Sequence, residues 1–191
     1  MLPVVLSALP GPEQLLHVSG WCFLELFAGK ASVTLAMLME GVPAVRPWDS
    51  CFGPEYDVLL QARLLLLFAM SGRLAAVHLG LPCQSWTWAR SPAVRSWWHV
   101  WGMPSLFGSR SEKVDTGNLL LLWTADFCWV LHSRGCFWSI ENPYWSWVWA
   151  TVPMWTLYML HNVSSVLVYY DQFGVAYAKP MLFLHLSLIH I

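Results

Sequence analysis

At 191 residues the chain is long enough for one domain with a buried core, and 10 basic against 11 acidic residues leave a net charge of −1. That balance excludes nucleic-acid binding through bulk positive charge, so such a partner requires a local basic patch or a second chain. Five cysteines without a C-x-x-C pair, and seven scattered histidines, argue against a disulfide framework and against a metal site. Free thiols in a reducing, intracellular compartment are the expectation.

Residues 1–19 carry prolines at 3, 10 and 12 and predict an irregular lead-in; they lack the positive start of a secretory signal. Trp21–Leu26 predicts a short strand, and Phe27-Ala28-Gly29-Lys30-Ala31 a turn. Ser32 stands as an N-cap for a helix that stops at Gly41. Pro43–Asp49 predicts a second strand ending in an acid. Tyr56–Met70 is a leucine-rich helix closed by Gly72. Leu74–Gly80 is a third strand, and it delivers a Pro82-Cys83-Gln84 turn.

Residues 84–115 form a long tryptophan-rich loop with Arg90, Arg95, Arg110 and Lys113. Its tryptophans 86, 88, 97, 98 and 101 suit either packing beneath the loop or stacking on unpaired bases. Thr116–Ser133 predicts an apolar helix ended by Gly135. Cys136–Asn142 is a fourth strand ending in Glu141-Asn142-Pro143. After a broken helical region, Ser165–Tyr170 and Met181–Leu188 predict an antiparallel strand pair around residues 171–180. Strands alternating with helices predict an α/β fold: a doubly wound, mostly parallel sheet with this antiparallel pair at its C-terminal side.

The composition, 57% hydrophobic with 14 tryptophans, requires a membrane reading to be weighed. Asn142–Tyr170 contains no Asp, Glu, Lys or Arg. Prolines, asparagines, serines and a histidine nevertheless cut it into pieces too short to span a bilayer, so membrane association is not expected. The polar motifs instead share a position. Residues 27–31, Asp49, 82–84 and 141–143 each follow a strand-like run, and open parallel sheets bind ligands beyond the carboxyl ends of their strands.

Taken in order, Phe23-Leu24-Glu25-Leu26-Phe27-Ala28-Gly29, Pro82-Cys83-Gln84-Ser85-Trp86, Ile140-Glu141-Asn142-Pro143 and Asp171-Gln172-Phe173-Gly174-Val175 resemble motifs of the DNA (cytosine-5) methyltransferase family. That family has D-L-F-A-G-x-G-G, P-C-Q-x-F-S, E-N-V and G-V-P-Q-x-R-x-R in the same order. The resemblance spans about residues 21–186. It implies a Rossmann-like methyltransferase domain over residues 20–191 that lacks a target-recognition region, for which a second chain is one candidate source. It also implies S-adenosyl-L-methionine as cofactor and nucleic acid, DNA before RNA, as substrate.

By the resemblance, Cys83 is the thiolate that adds to C6 of cytosine, Glu141 assists at N3 and Asn142 supports the turn carrying Glu141. Glu25, Phe27 and Gly29 contact the cofactor, Glu25 replacing the family's Asp. Asp49 holds the ribose, Trp48 lies beside the adenine, and Asp57 is a further candidate for the adenine amino group. Gln84 and Lys179 belong to the base pocket. The sequence departs from the family where Tyr177-Ala178-Lys179-Pro180-Met181 stands for Q-x-R-x-R, leaving one lysine for two arginines. Asn142-Pro143-Tyr144-Trp145 also resembles the N-P-P-Y/W motif of N6-adenine methyltransferases, but lacks its second proline and follows the wrong strand. Two alternatives stand beside the enzyme: an inactive remnant of the same fold, and an interaction or membrane protein whose motif matches are coincidental.

Overall fold

A computed structural model describes residues 2–174 and 179–187. It is α/β, with five strands in the order β1-β2-β3-β5-β4, and the chain divides into two units. Residues 1–80 and 127–139 make the first, residues 81–126 and 140–191 the second, and β3 runs through both. Val175, Tyr177, Ala178 and Leu188, which belong to the expected substrate element and last strand, lie outside the described residues.

In the first unit, β1 (Cys22–Leu26) stands first in the strand order, yet all five of its residues are buried. It pairs in parallel with β2 (Leu74–Leu79), from Cys22 opposite Leu74 to Leu26 opposite Leu79, and β2 has β3 (Phe137–Pro143) on its other side. Against the free side of β1 the expected strand Pro43–Asp49 is reduced to two bridges, Phe23 with Ala44 and Leu26 with Trp48. The reason is local. Pro43 and Pro47 have no N–H to give to a ladder. The backbone hydrogen bonds that do form include Phe23 N to Pro43 O (2.8 Å), Val45 N to Phe23 O (3.0 Å) and Trp48 N to Glu25 O (2.8 Å).

The lead-in is more ordered than its prolines suggest. Leu2–Ser7 forms a helix, α1, with Pro3 in the first turn where a missing N–H does no harm, and Pro12–His17 forms a 3-10 turn. Two arginines fasten it. Arg46 Nη2 donates to Ser7 O (2.5 Å) and Leu9 O (3.2 Å), and Arg73 Nη1 donates to Leu16 O (2.6 Å). Leu15 is wholly buried.

The next helix, α2 (Ser32–Met39), begins differently from the sequence expectation. Ala31, not Ser32, is the N-cap residue, with a left-handed backbone (φ 56°) and no side chain able to cap. The missing acceptor comes from β1. Glu25 Oε2 accepts from both the backbone N and the Oγ1 of Thr34, each at 2.6 Å. A carboxylate at a helix N-terminus satisfies orphan donors and the helix dipole together. The predicted helix Tyr56–Met70 is shortened to α3 (Ala62–Met70), because a 3-10 turn occupies Pro54–Tyr56 and Asp57 Oδ1 accepts from Leu59 N and Leu60 N.

In the second unit, β5 (Pro180–Leu186) lies beside β3, and β4 (Val163–Tyr169) pairs with β5 antiparallel from Val163–Leu186 to Tyr169–Pro180. The sheet is therefore mixed. The predicted helix 116–133 starts earlier, as α4 (Ser109–Ser133), after Gly108. The tryptophan-rich loop that precedes it is organised around Arg95, which is only 3% exposed. Its guanidinium donates to Ser85 O (2.9 Å), Ser85 Oγ (3.1 Å), Val100 O (2.7 Å), Asn118 Oδ1 (2.8 Å) and Val114 O (3.1 Å). It also stacks 3.4 Å above the Trp86 ring. Burial lowers its pKa to about 10, so it stays charged at neutral pH.

This cluster fixes the identity of Gly117 on α4. A Cβ there would meet Ser85 Oγ at clashing distance, Trp86 Nε1 at 3.2 Å and Arg95 Nη2 at 3.3 Å. Helix propensity alone predicts that Gly117→Ala stabilises by about 1 kcal/mol. Overpacking against a rigid cluster predicts the opposite sign, a loss of about 1–3 kcal/mol. Urea denaturation followed by near-ultraviolet circular dichroism is expected to give the loss. A stabilised Gly117→Ala protein would show that the cluster is soft.

Candidate active site

The expected site residues fall into two groups, one in each unit. In the first, β1 runs into the loop Phe27–Ala31, where Phe27, Gly29 and Ala31 all have positive φ (57°, 52° and 56°). Left-handed backbone at Phe27 and Ala31 is uncommon for side-chain-bearing residues and persists only where its surroundings hold it. Three hydrogen bonds do so: Ala28 N to Trp48 O (3.1 Å), Ala31 N to Ala28 O (2.7 Å) and Gly29 N to Asp49 Oδ2 (2.9 Å). Asp49 Oδ1 also accepts from Cys51 N (3.0 Å). Gly80 adds a close approach, since a Cβ there would lie 3.2 Å from Phe27 O.

These residues differ in what they can offer a ligand. Gly29 is exposed with open space above it, and Asp49 is half-buried with lone pairs left on each oxygen. Glu25 is 3% exposed, and its Oε2 serves Thr34. Trp48 is completely buried, edge-on to Tyr56 at 5.9 Å, so its ring is core. Asp57 caps the turn before α3. What stays open to a ligand is the Asp49 carboxylate, an acceptor, beside the exposed Gly29; Ala28 N and Gly29 N are already spent on Trp48 O and Asp49, and Glu25 and Trp48 hold the scaffold behind.

In the second unit, the turn Leu81–Gln84 and the end of β3 are tied side chain to backbone. Asn142, 1% exposed, donates from Nδ2 to Leu81 O at 2.7 Å. Cys83 O accepts from Trp86 N and Thr87 N (both 3.0 Å), which turns the chain and leaves the Cys83 side chain partly accessible. Gln84 is exposed, and its carbonyl accepts from Arg90 Nη1 (3.0 Å). Along β3, burial alternates, so Glu141 and Asn142 face opposite sides. Glu141 Oε1 accepts from Tyr170 Oη at 2.7 Å. Lys179 is half-buried just before β5, its carbonyl facing Tyr170 N (3.5 Å), and Pro180 O accepts from Tyr144 N (3.0 Å).

The structure thus gathers the Cys83 turn, Glu141, Asn142 and the Lys179 segment into one unit. Tyr170 is the member that sequence reasoning missed. Its only signal is a second tyrosine at the end of a strand whose hairpin partner begins beside Lys179. Among the described residues, no group of three or more His, Cys, Asp or Glu side chains is placed to hold a metal ion, and no helix is long and apolar enough to cross a membrane. No protein-family model matches the chain, and no curated protein matches it in sequence.

The thiols separate by environment. Burial raises the pKa of Cys22 to about 11 and of Cys136 to about 12, and raises that of the wholly buried Cys128 well above the usual thiol value. Cys51 is exposed, but residual desolvation and the neighbouring Asp49 carboxylate raise its pKa. Raised values mean less thiolate at neutral pH. Competitive alkylation near pH 7, read by mass spectrometry, is therefore expected to label the accessible Cys51 and Cys83 in the folded protein and the three buried thiols only after unfolding. Labelling of Cys22, Cys128 or Cys136 in the folded protein would remove the distinction.

Proposed function

We propose that this chain is an S-adenosyl-L-methionine-dependent methyltransferase acting on C5 of cytosine in nucleic acid, with DNA favoured over RNA. The observation that carries the reading is the hydrogen bond from Asn142 Nδ2 to Leu81 O. It joins the start of the Pro-Cys-Gln turn to the Glu-Asn strand end, two motifs that are far apart in sequence and that cytosine chemistry needs together. The mixed α/β sheet is compatible with a doubly wound, Rossmann-like methyltransferase fold, and free cysteines suit an intracellular setting.

In this reading Asp49 accepts hydrogen bonds from ribose hydroxyls, and the backbone of Phe27–Gly29 bounds the cofactor. When bound, S-adenosyl-L-methionine supplies an electrophilic methyl group. C5 of cytosine is a poor nucleophile. The Cys83 thiolate forms an S–C6 bond, and the electron pair of the C5–C6 double bond moves to make C5 nucleophilic. Glu141 delivers a proton to N3 and so neutralises the negative charge that arrives there, its carboxyl held by Tyr170 Oη. After methylation the C5 proton passes to water, its bonding pair re-forms the C5–C6 double bond, the S–C6 bond breaks with Cys83 leaving as thiolate, and N3 returns its proton to Glu141.

Transfer of labelled methyl from S-adenosylmethionine to cytosine-containing DNA tests this. Cys83→Ser is expected to abolish transfer while leaving cofactor affinity unchanged, and Glu141→Gln to slow it about 10²–10⁴-fold. Asp49→Ala is expected to weaken cofactor binding in calorimetry by at least about tenfold, the loss of one or more hydrogen bonds to a charged acceptor. Transfer that survives Cys83→Ser, or no methyl transfer by the unaltered protein, overturns the proposal.

A further inference from the structure

The second unit contains a cleft of about 650 Å³ that the proposed chemistry leaves unused. Its walls are Trp88, Trp97, Tyr144, Trp145, Trp147 and Trp155, and no charged side chain lines it. Soluble proteins rarely leave so many large rings uncovered: Trp97 is 69% exposed and Trp145 59%. The rings meet mostly by their edges. Trp88 and Trp145 lie 6.3 Å apart at 71°, Tyr144 and Trp145 4.7 Å apart at 71°, and Trp97 and Trp147 6.5 Å apart at 55°. Edge contacts leave indole faces open to a planar guest.

The cleft is built from chain that adjoins the candidate active-site motifs. Trp88 stands in the turn that follows Cys83, and Tyr144 and Trp145 follow Glu141-Asn142-Pro143 directly. The two segments are joined by the Thr87–Ser146 bridge and by Trp147 N donating to Trp86 O at 2.9 Å. Whatever occupies the cleft therefore meets chain running straight out of the two motif turns. The lack of a carboxylate in the lining disfavours an ammonium guest, which aromatic walls would otherwise attract. A neutral ring with two flat faces suits it. Arg90, in the same loop, spends one nitrogen on Gln84 O and has further donors for a phosphate.

We infer that this cleft holds unpaired nucleobases of a single-stranded or locally opened nucleic acid, stacked on its indole faces. The inference rests on the nucleic-acid substrate proposed above and adds a second contact, one that reads no sequence because every base has a π-face. It gives a chain of net charge −1 a means of holding nucleic acid that does not depend on bulk positive charge.

Fluorescence anisotropy with labelled oligothymidine and oligoadenosine, both free of cytosine, and with their duplex tests it. The single strands are expected to bind more tightly than the duplex. Trp145→Leu and Trp88→Leu are each expected to weaken binding about 5- to 150-fold, the range of one base–aromatic stack. Trp145→Phe, which keeps a ring, is expected to retain most of the affinity. Equal affinity for single strand and duplex, or indifference to both leucine variants, overturns the inference. So does sedimentation showing a self-associated protein that the leucine variants return to monomer, since the cleft is then an interface between copies. Tight binding of cytosine-free strands without any methyl transfer would sink the methyltransferase reading and leave the cleft standing. Methyl transfer by Trp145→Leu with unchanged affinity would do the reverse.

Discussion

One buried cation organises the second unit. Arg95 has no carboxylate in hydrogen-bond contact; its donors go to carbonyls, a hydroxyl and an amide from both ends of the tryptophan-rich loop and from α4. Removing a guanidinium from water is costly, and only a nearly complete set of acceptors offsets it. The acceptors are backbone groups that a long loop would otherwise leave unsatisfied. Each side thus answers the other's need, and a segment of more than twenty residues without regular structure gains a defined path. The Cys83 turn lies directly upstream of Ser85 and Trp86, both buried in that cluster, so Arg95 anchors the chain on which the turn ends.

A related economy operates in the first unit, where two carboxylates hold backbone rather than cations. Glu25 closes the N-terminus of α2 from inside the sheet, and Asp49 bridges the glycine loop to the next turn. The first is sealed and structural. The second is half-exposed, and it is the one left with acceptor capacity for a ligand. Position along the strand explains the difference: Glu25 lies within β1, whereas Asp49 lies beyond the last bridge to it. A loop with left-handed residues at alternate positions, held through Asp49, is stiff before any ligand arrives, and stiffness of this kind lowers the entropic cost of binding.

Sequence pattern revealed β1, β2, β3 and the β4–β5 hairpin because short apolar runs bounded by turn residues have few other uses. It failed where a remote group decided the outcome. The lead-in is fastened by Arg46 and Arg73, which nothing near residues 2–17 announces. Ser32 has the chemistry of a cap, yet Glu25 does the capping from a neighbouring strand. The start of α4 was hidden by the polar residues 109–115, which lack the apolar period of the rest. For the site, motif order put Cys83, Glu141 and Asn142 at strand ends, but not the burial of Trp48 or the partnership of Glu141 with Tyr170. The loop tryptophans, alike in sequence, divide sharply: Trp86 is core beneath Arg95, while Trp88 and Trp97 line an open cleft.

The strand β4 carries a consequence for the behaviour of the chain in solution. It stands last in the strand order, and its seven residues, Val163 to Tyr169, include no charge, no proline and no glycine. Val166, Leu167 and Tyr169 are exposed along it. Natural sheets blunt such borders with lysines, prolines or bulges, and β4 has none of these among its paired residues. A strand of this composition is a template on which a second extended segment adds by main-chain bonds, in the geometry of cross-β growth. A partner segment or an added charge along that border removes the template.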